Sequence, residues 1–143
     1  MIELHDQAGN TVSLQQLLGK PVVLYFYPKD DTPGCTKEAC DFRDITPQLE
    51  KLGVQVIGVS ADSVESHAKF AQKHSLPFPL WSDPEKKLLT EFGATTEKSI
   101  FGKKFIGVKR MTFVLDKSGK VIKVWENVNP LTHAQEVLDF FKL

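Results

Sequence analysis

The chain has 143 residues, 41% of them hydrophobic and 25% charged, the proportions of an ordinary folded domain able to bury roughly 68% of its unfolded-chain surface without covalent staples. Its 18 basic and 18 acidic side chains cancel, so no global field points to nucleic acid or to a membrane. No apolar run approaches the ~18 residues of a bilayer span, and the opening MIELHDQAGN has no signal-like region, so the expectation is one cytoplasmic domain over 1–143.

In chain order, a hairpin or loop is expected around Ala8, Gly9 and Asn10, then a short turn or helix from Val12 to Leu18. Pro21 to Tyr27 (PVVLYFY) is apolar, β-branched and aromatic, and predicts a buried strand. The loop after it carries Pro28, Asp30, Asp31, Thr32, Pro33 and Gly34, all turn or cap formers. A helix is predicted from about Cys35 to Lys51, with Ala39, Phe42, Ile45 and Leu49 on its inner face. Pro47 inside that pattern predicts a kink, or a restart with Thr46 as N-cap. Val54 to Ser60 reads as a second buried strand. Asp62 or Ser63 then caps a helix from Val64 to about His74, facing inward with Val64, His67, Ala68 and Ala71. In SDPE, Asp83 is a natural N-cap with Pro84 at the first helical position, and the short helix stops at Gly93. Lys98, Lys103, Lys104, Lys109 and Arg110 against Glu97 give the next segment a local excess of +4, read as a solvated loop. Met111 to Asp116 and Lys120 to Trp125 are strands joined by Lys117, Ser118 and Gly119. An amphipathic helix from His133 to Lys142 buries Val137, Leu138 and Phe141. Two β-α units followed by a hairpin and a helix predict an α/β fold, a thioredoxin-like three-layer sandwich with a mixed central sheet flanked by helices.

Chemistry concentrates at Cys35, delivered to the first turn of a helix at the carboxyl end of a strand, where reactive groups of α/β folds sit. A free thiol is only a few per cent thiolate at neutral pH, and making it mostly ionised takes ~3.4 kcal/mol. A helix N-terminus supplies ~0.3–1 kcal/mol, and about 2 at most. A second donor or a cation is therefore required. Thr32, three residues upstream, offers a hydroxyl, and Arg110, entering the strand at Met111, is the best cation, since that strand lies beside Val22 to Tyr27 in thioredoxin-like order.

Plainer readings stand beside these. Cys35 and Cys40 as inert core residues is the weaker alternative, since a loop–helix junction is polar and partly exposed. Thr32 serves equally as a turn or capping residue, Arg110 reads as a strand-edge charge, and Glu38 with Arg43 either supports the site from the helix or, by default, forms a solvated pair. His67 and His74 read as solvated or packing residues, Asp30 and Asp31 as turn formers, and Trp81 and Trp125 as core or rim aromatics. A zinc site is disfavoured, because C-x4-C is not zinc-finger spacing and no nearby ligands complete it.

The spacing Pro28-x-x-x-Thr32-x-x-Cys35, with an arginine at the start of a later strand in GVKRMTFVLD, resembles the active-site signature of peroxiredoxins. The wider phrases YFYPKDDTPGCTKEACDFRD, VIGVSADSVESHAKF, LWSDPEKKLLTEFG and FGKKFIGVKRMTFVLD are similar to the bacterioferritin-comigratory, or peroxiredoxin Q, subfamily, over nearly the whole chain. The resemblance implies a thiol peroxidase reducing hydrogen peroxide and organic hydroperoxides. Cys35 would then be the peroxidatic nucleophile, Thr32 and Arg110 would hold and polarise the peroxide oxygens, and Pro28 would shield the thiolate. It also implies that Cys40 is the resolving cysteine in an intramolecular disulfide, with thioredoxin or glutaredoxin as reductant, a monomeric chain, and no cofactor or metal. Met111 stands where a serine or threonine is frequent, which puts the pocket wall in question.

Positions five apart in a regular helix have Cα atoms ~8.6 Å apart, while a disulfide needs them within about 7 Å. The expected bond therefore requires the first turns of the helix to unwind. So small a loop constrains the unfolded chain by only about 2 kcal/mol, which suits a bond that must be recycled. Two further functions remain: a general disulfide oxidoreductase, whose chemistry normally uses C-x-x-C, and a peroxide-sensing redox regulator whose disulfide changes its shape.

Overall fold

The computed structural model describes residues 2–142. β1 (Leu4–Asp6) and β2 (Thr11–Val12) form the opening hairpin, closed by the Asp6 carboxylate, which accepts from the N–H groups of Ala8 and Asn10. A 3-10 turn (Leu14–Leu17) leads into β3 (Val22–Phe26), buried at every residue. Then come α1 (Pro33–Lys51), β4 (Gln55–Ser60), α2 (Val64–His74), β5 (Leu80–Ser82) and α3 (Lys87–Glu91). A hairpin of β6 (Thr95–Ile100) and β7 (Lys103–Val108) follows, and the chain continues through β8 (Met111–Leu115), β9 (Val121–Trp125) and α4 (His133–Lys142).

Seven strands make one mixed sheet in the order β2-β1-β5-β4-β3-β8-β9, while β6 and β7 pair with each other. The fold is thioredoxin-like, with helices on both faces. β3 runs parallel to β4, from Val22 opposite Gln55 to Phe26 opposite Val59, and antiparallel to β8, from Val22 opposite Leu115 to Phe26 opposite Met111. The carboxyl end of β3 thus lies beside the amino end of β8. Residues just after one strand and just before the other meet at the same edge of the sheet.

The two-residue period of β3 divides the core. Val23, Tyr25 and Tyr27 pack with Phe42 and Leu49 of α1, Phe70 of α2, and Val137 and Leu138 of α4. Leu24 and Phe26 face the other way, toward Trp81, Leu88 and Leu89 of α3, Met111 and Phe113. Phe42 and Leu49 are fully buried, each worth roughly 1.5–3 kcal/mol of transfer free energy. No helix of the described residues is long and apolar enough to cross a membrane.

Several local expectations are corrected. α1 runs through Pro47 as one element of 19 residues, and Thr46 does not cap a restart. Its hydroxyl instead donates to the Phe42 carbonyl at 2.7 Å, one turn back. Ser63 caps α2 by accepting from the Ser66 N–H, and the buried face of that helix carries Phe70 rather than Ala68. The helix after SDPE starts at Lys87, because Pro84 and Glu85 form a turn closed by the Lys86 N–H donating to the Asp83 carbonyl. Asp83 still caps it from a distance, accepting from the N–H groups of Lys87 and Leu89 at 2.9 Å. The lysine-rich segment is a β-hairpin and not a loop, and Phe141 is only half-buried. Met111 packs in the α3 cluster, whereas Cys35 belongs to the cluster on the opposite face.

Candidate active site

Pro33 opens α1 with a preset φ and no N–H to leave unpaired, and Thr32 precedes it in extended backbone as N-cap. Cys35 therefore falls in the first turn, beneath the helix's free N–H groups, and is 1% exposed against Tyr25, Tyr27, Ala39 and Phe42. The Thr32 hydroxyl donates to the Lys29 carbonyl at 2.8 Å, and the Thr36 N–H donates to the Thr32 carbonyl at 2.8 Å. Thr32 thus ties the loop to the helix, and the structure places its side-chain bond on the loop and not on the sulfur. Pro28 is exposed where the chain leaves β3.

Arg110, immediately before β8, reaches across the sheet edge. Its Nη2 donates to Cys35 Sγ at 3.2 Å and its Nη1 to Glu38 Oε1 at 2.8 Å. Glu38, read as a solvated side chain from sequence, is fully buried, and its Oε2 has no hydrogen-bond partner among the described residues. Burial pushes its carboxyl up to about 7, outweighing the nearby guanidinium, which pulls the other way. Burial also opposes the charge on Arg110, yet the Glu38 carboxylate and the Cys35 sulfur hold it above its ordinary value. A short ion pair coexists here with an easily protonated acid. Desolvation decides that outcome, because a carboxylate with one oxygen facing no donor is poorly compensated.

The surrounding backbone is fitted to Arg110 as well. A Cβ on Gly34 would lie 3.4 Å from Arg110 Nη2 and 3.4 Å from Pro130 Cγ, so a residue without a side chain leaves the guanidinium its room. The Val128 N–H donates to the Arg110 carbonyl at 3.2 Å. Burial, then the charge of Glu38, push the Tyr25 phenol well up, so the aromatic floor beside the thiol stays neutral.

The loop between β3 and α1 is braced by α2. Asp30, read as a turn former from sequence, is buried, and its carboxylate accepts from the Tyr27 hydroxyl and the Ser66 hydroxyl. His67 Nδ1 lies 2.6 Å from the same carboxylate, and its Nε2 donates to the Trp81 carbonyl at 2.9 Å. His67 is a packing residue with both ring nitrogens engaged. The Asp30 N–H donates to Asp62 at 2.8 Å, which also accepts from Ser60. Outside this brace, exposed Asp31 adopts φ 58° and pairs with Lys73, which holds its carboxyl below the usual range.

Asp30, Asp62 and His67 are the one group of metal-ligating types, among the described residues, whose donor atoms lie within 4.8 Å of one another. Hydrogen bonds already occupy those atoms, so the cluster is a structural network. A cavity of about 480 Å³ opens near Lys20, Gln55, Phe78 and Trp81, and none of Cys35, Thr32 and Arg110 lines it. The thiol with its cation therefore lies away from this cavity. Cys40 is half-buried on the same helix, and both cysteines are free.

The chain is similar to several known proteins. The AhpC/TSA family pattern matches residues 1–124. The chain is 49% identical over 141 residues to peroxiredoxin Bcp of Bacillus subtilis, covering 99% of this chain and 90% of that one. It is 48% identical over 136 residues to the chloroplastic peroxiredoxin Q of Sedum lineare, covering 94% and 70%. A structure of Xanthomonas campestris bacterioferritin comigratory protein, from a study of its alkyl peroxide reduction activity, superposes with a TM-score of 0.94 at 40% identity, covering 99% and 90%.

Proposed function

The chain belongs to the AhpC/TSA family, among its Bcp and peroxiredoxin Q members, and from that premise we propose that it is a thiol peroxidase with Cys35 as nucleophile. The observation that carries the reading is the Arg110 guanidinium 3.2 Å from the Cys35 sulfur. A fixed cation beside a thiol at a helix N-terminus favours the thiolate, which attacks one oxygen of hydrogen peroxide or an organic hydroperoxide. The O–O bond breaks, the distal oxygen stays on sulfur as sulfenic acid, and the other leaves with a proton as water or alcohol. Thr32 and Arg110 hold the peroxide oxygens, and Pro28 shields the mouth of the site. The Cys40 thiol then displaces water from the sulfenic sulfur to give a disulfide within one monomeric chain. Thioredoxin or glutaredoxin returns two electrons and two protons by thiol–disulfide exchange.

Stopped-flow peroxide consumption with mass spectrometry tests this. Cys35→Ser abolishes fast consumption, while Cys40→Ser completes one turnover and stops as sulfenic acid. Wild-type consumption surviving in Cys35→Ser overturns the assignment. A peroxide-sensing regulator is the second reading, and slow consumption with reversible partner binding on oxidation would favour it.

A further inference from the structure

We infer that the β6–β7 hairpin docks the protein onto an anionic bilayer surface. The hairpin is anchored at its base, where Val108 packs against the Leu24–Phe113 cluster and the Lys109 N–H donates to the Ala94 carbonyl at 2.7 Å. From Glu97 to Ile106 every residue is exposed. An isolated two-stranded ribbon is marginal in water, so a surface that covers it has something to stabilise.

The register shows what the ribbon presents. Lys98 lies opposite Phe105 and Ile100 opposite Lys103 on one face, while Glu97 lies opposite Ile106 and Ser99 opposite Lys104 on the other. Both faces carry an apolar residue and a lysine. Ile100, Phe105 and Ile106 are 56%, 42% and 50% exposed, and Phe101 at the tip is 103% exposed. Phe101 also adopts φ 52° beside Gly102 at φ 77°, a left-handed pair in which a bulky aromatic is unfavourable. A benzyl group thus stands out at the tip, against both hydration and backbone preference.

Charge and shape choose the occupant. Arg110 is engaged by Glu38 and Cys35, which leaves Lys98, Lys103, Lys104 and Lys109 against Glu97 alone. A chain of net charge 0 therefore carries a local excess of +2 on the projection itself, with Lys109 adding a further positive charge at its base, which the global balance conceals. A partner protein is met by one flat face with an apolar centre and a polar rim. A projection led by Phe101 and Ile100, with apolar and ammonium groups interleaved on both faces behind them, suits an isotropic interface, the tip ring entering the acyl boundary and the lysines meeting lipid phosphates.

The test is flotation of the whole protein with vesicles of equal parts phosphatidylcholine and phosphatidylglycerol, against pure phosphatidylcholine. Wild type is expected to float with the anionic vesicles and not the neutral ones. Phe101→Ser and Lys103→Glu/Lys104→Glu are each expected to weaken partition by about tenfold or more. Both are to be checked by circular dichroism and by hydrogen peroxide consumption in solution, which the hairpin does not touch. Loss of consumption in every variant, wild type included, would count against the peroxidase reading and leave docking to be judged by flotation alone. Failure of wild type to float, or flotation that all the variants retain, overturns the proposal. A wild-type dimer that these substitutions dissociate overturns it in favour of a second copy.

Discussion

Glu38 and Cys35, three residues apart on α1, share one guanidinium: Arg110 gives Nη1 to the carboxylate at 2.8 Å and Nη2 to the sulfur at 3.2 Å. The fork geometry of arginine makes this possible, since its two nitrogens are fixed in one plane. Glu38 thus determines where the cation points. On the proposed mechanism it is a positioning residue, one step removed from the sulfur.

The carboxyl of Glu38 carries a pH signature. Its folded value, about 7, lies above its ordinary 4.5, so the folded protein binds this proton more tightly than the unfolded chain. Stability referred to this group is then full below about 4.5 and falls as pH rises through 7. Glu38→Gln has no such proton, and the wild type should lose about 3 kcal/mol relative to it between those limits. Urea unfolding of both proteins across pH measures this, and parallel curves would refute it.

Arg110→Gln should slow peroxide consumption by about 10- to 100-fold, the value of one hydrogen bond to a charged group. Arg110→Lys should recover little, because a single ammonium cannot serve two acceptors in fixed directions. The variant also strands Glu38 as a buried acid, so Arg110→Gln/Glu38→Gln should be more stable than Arg110→Gln alone. Stopped-flow rates and denaturant midpoints decide both points, and a double variant less stable than the single would contradict the pairing.

Asp30→Ala removes the acceptor shared by Tyr27, Ser66 and His67, all from a buried position. A cost of about 3 kcal/mol or more is expected, as for breaking a buried pair while leaving its partner in place. A loss below about 1 kcal/mol would show that the network is solvated.

These sites show why part of the molecule was legible and part was not. The central strands declared themselves because β3, β4 and β8 are unbroken apolar or alternating runs, and their order put the segment before β8 beside the exit from β3. Glu38 gave a weaker signal: its partner lies 72 residues away, and local spacing offered support of the site from the helix only as an alternative to a solvated pair. Asp30 looked like any loop aspartate, because the residues that bury it come from α2 and β3. The hairpin escaped notice since lysines mask its alternation, and from Glu97 to Ile106 its residues are exposed, so no core selects an apolar face. The mistaken face of α2 had a similar cause, with Ala68 and Phe70 both compatible with helical spacing until the sheet chose between them.

Pro47→Ala tests the proline that α1 accommodates. Pro47 is exposed, lacks the N–H that would meet the Arg43 carbonyl, and crowds the preceding turn. Replacement should raise stability by about 1–3 kcal/mol in urea unfolding. A destabilised variant would mean that the proline ring packs where the fold needs it.

Glu38 also lies between the two cysteines in sequence, inside the ring that a Cys35–Cys40 bond would close. Drawing two helical Cα atoms from ~8.6 Å to within about 7 Å reshapes the turn that carries Glu38. On the proposed mechanism, the carboxylate that aims Arg110 would leave its post in the same movement that spends the thiol. Charge alignment and disulfide would then form an interlock, the chain holding either a poised sulfur or a closed ring, with reduction re-arming both at once.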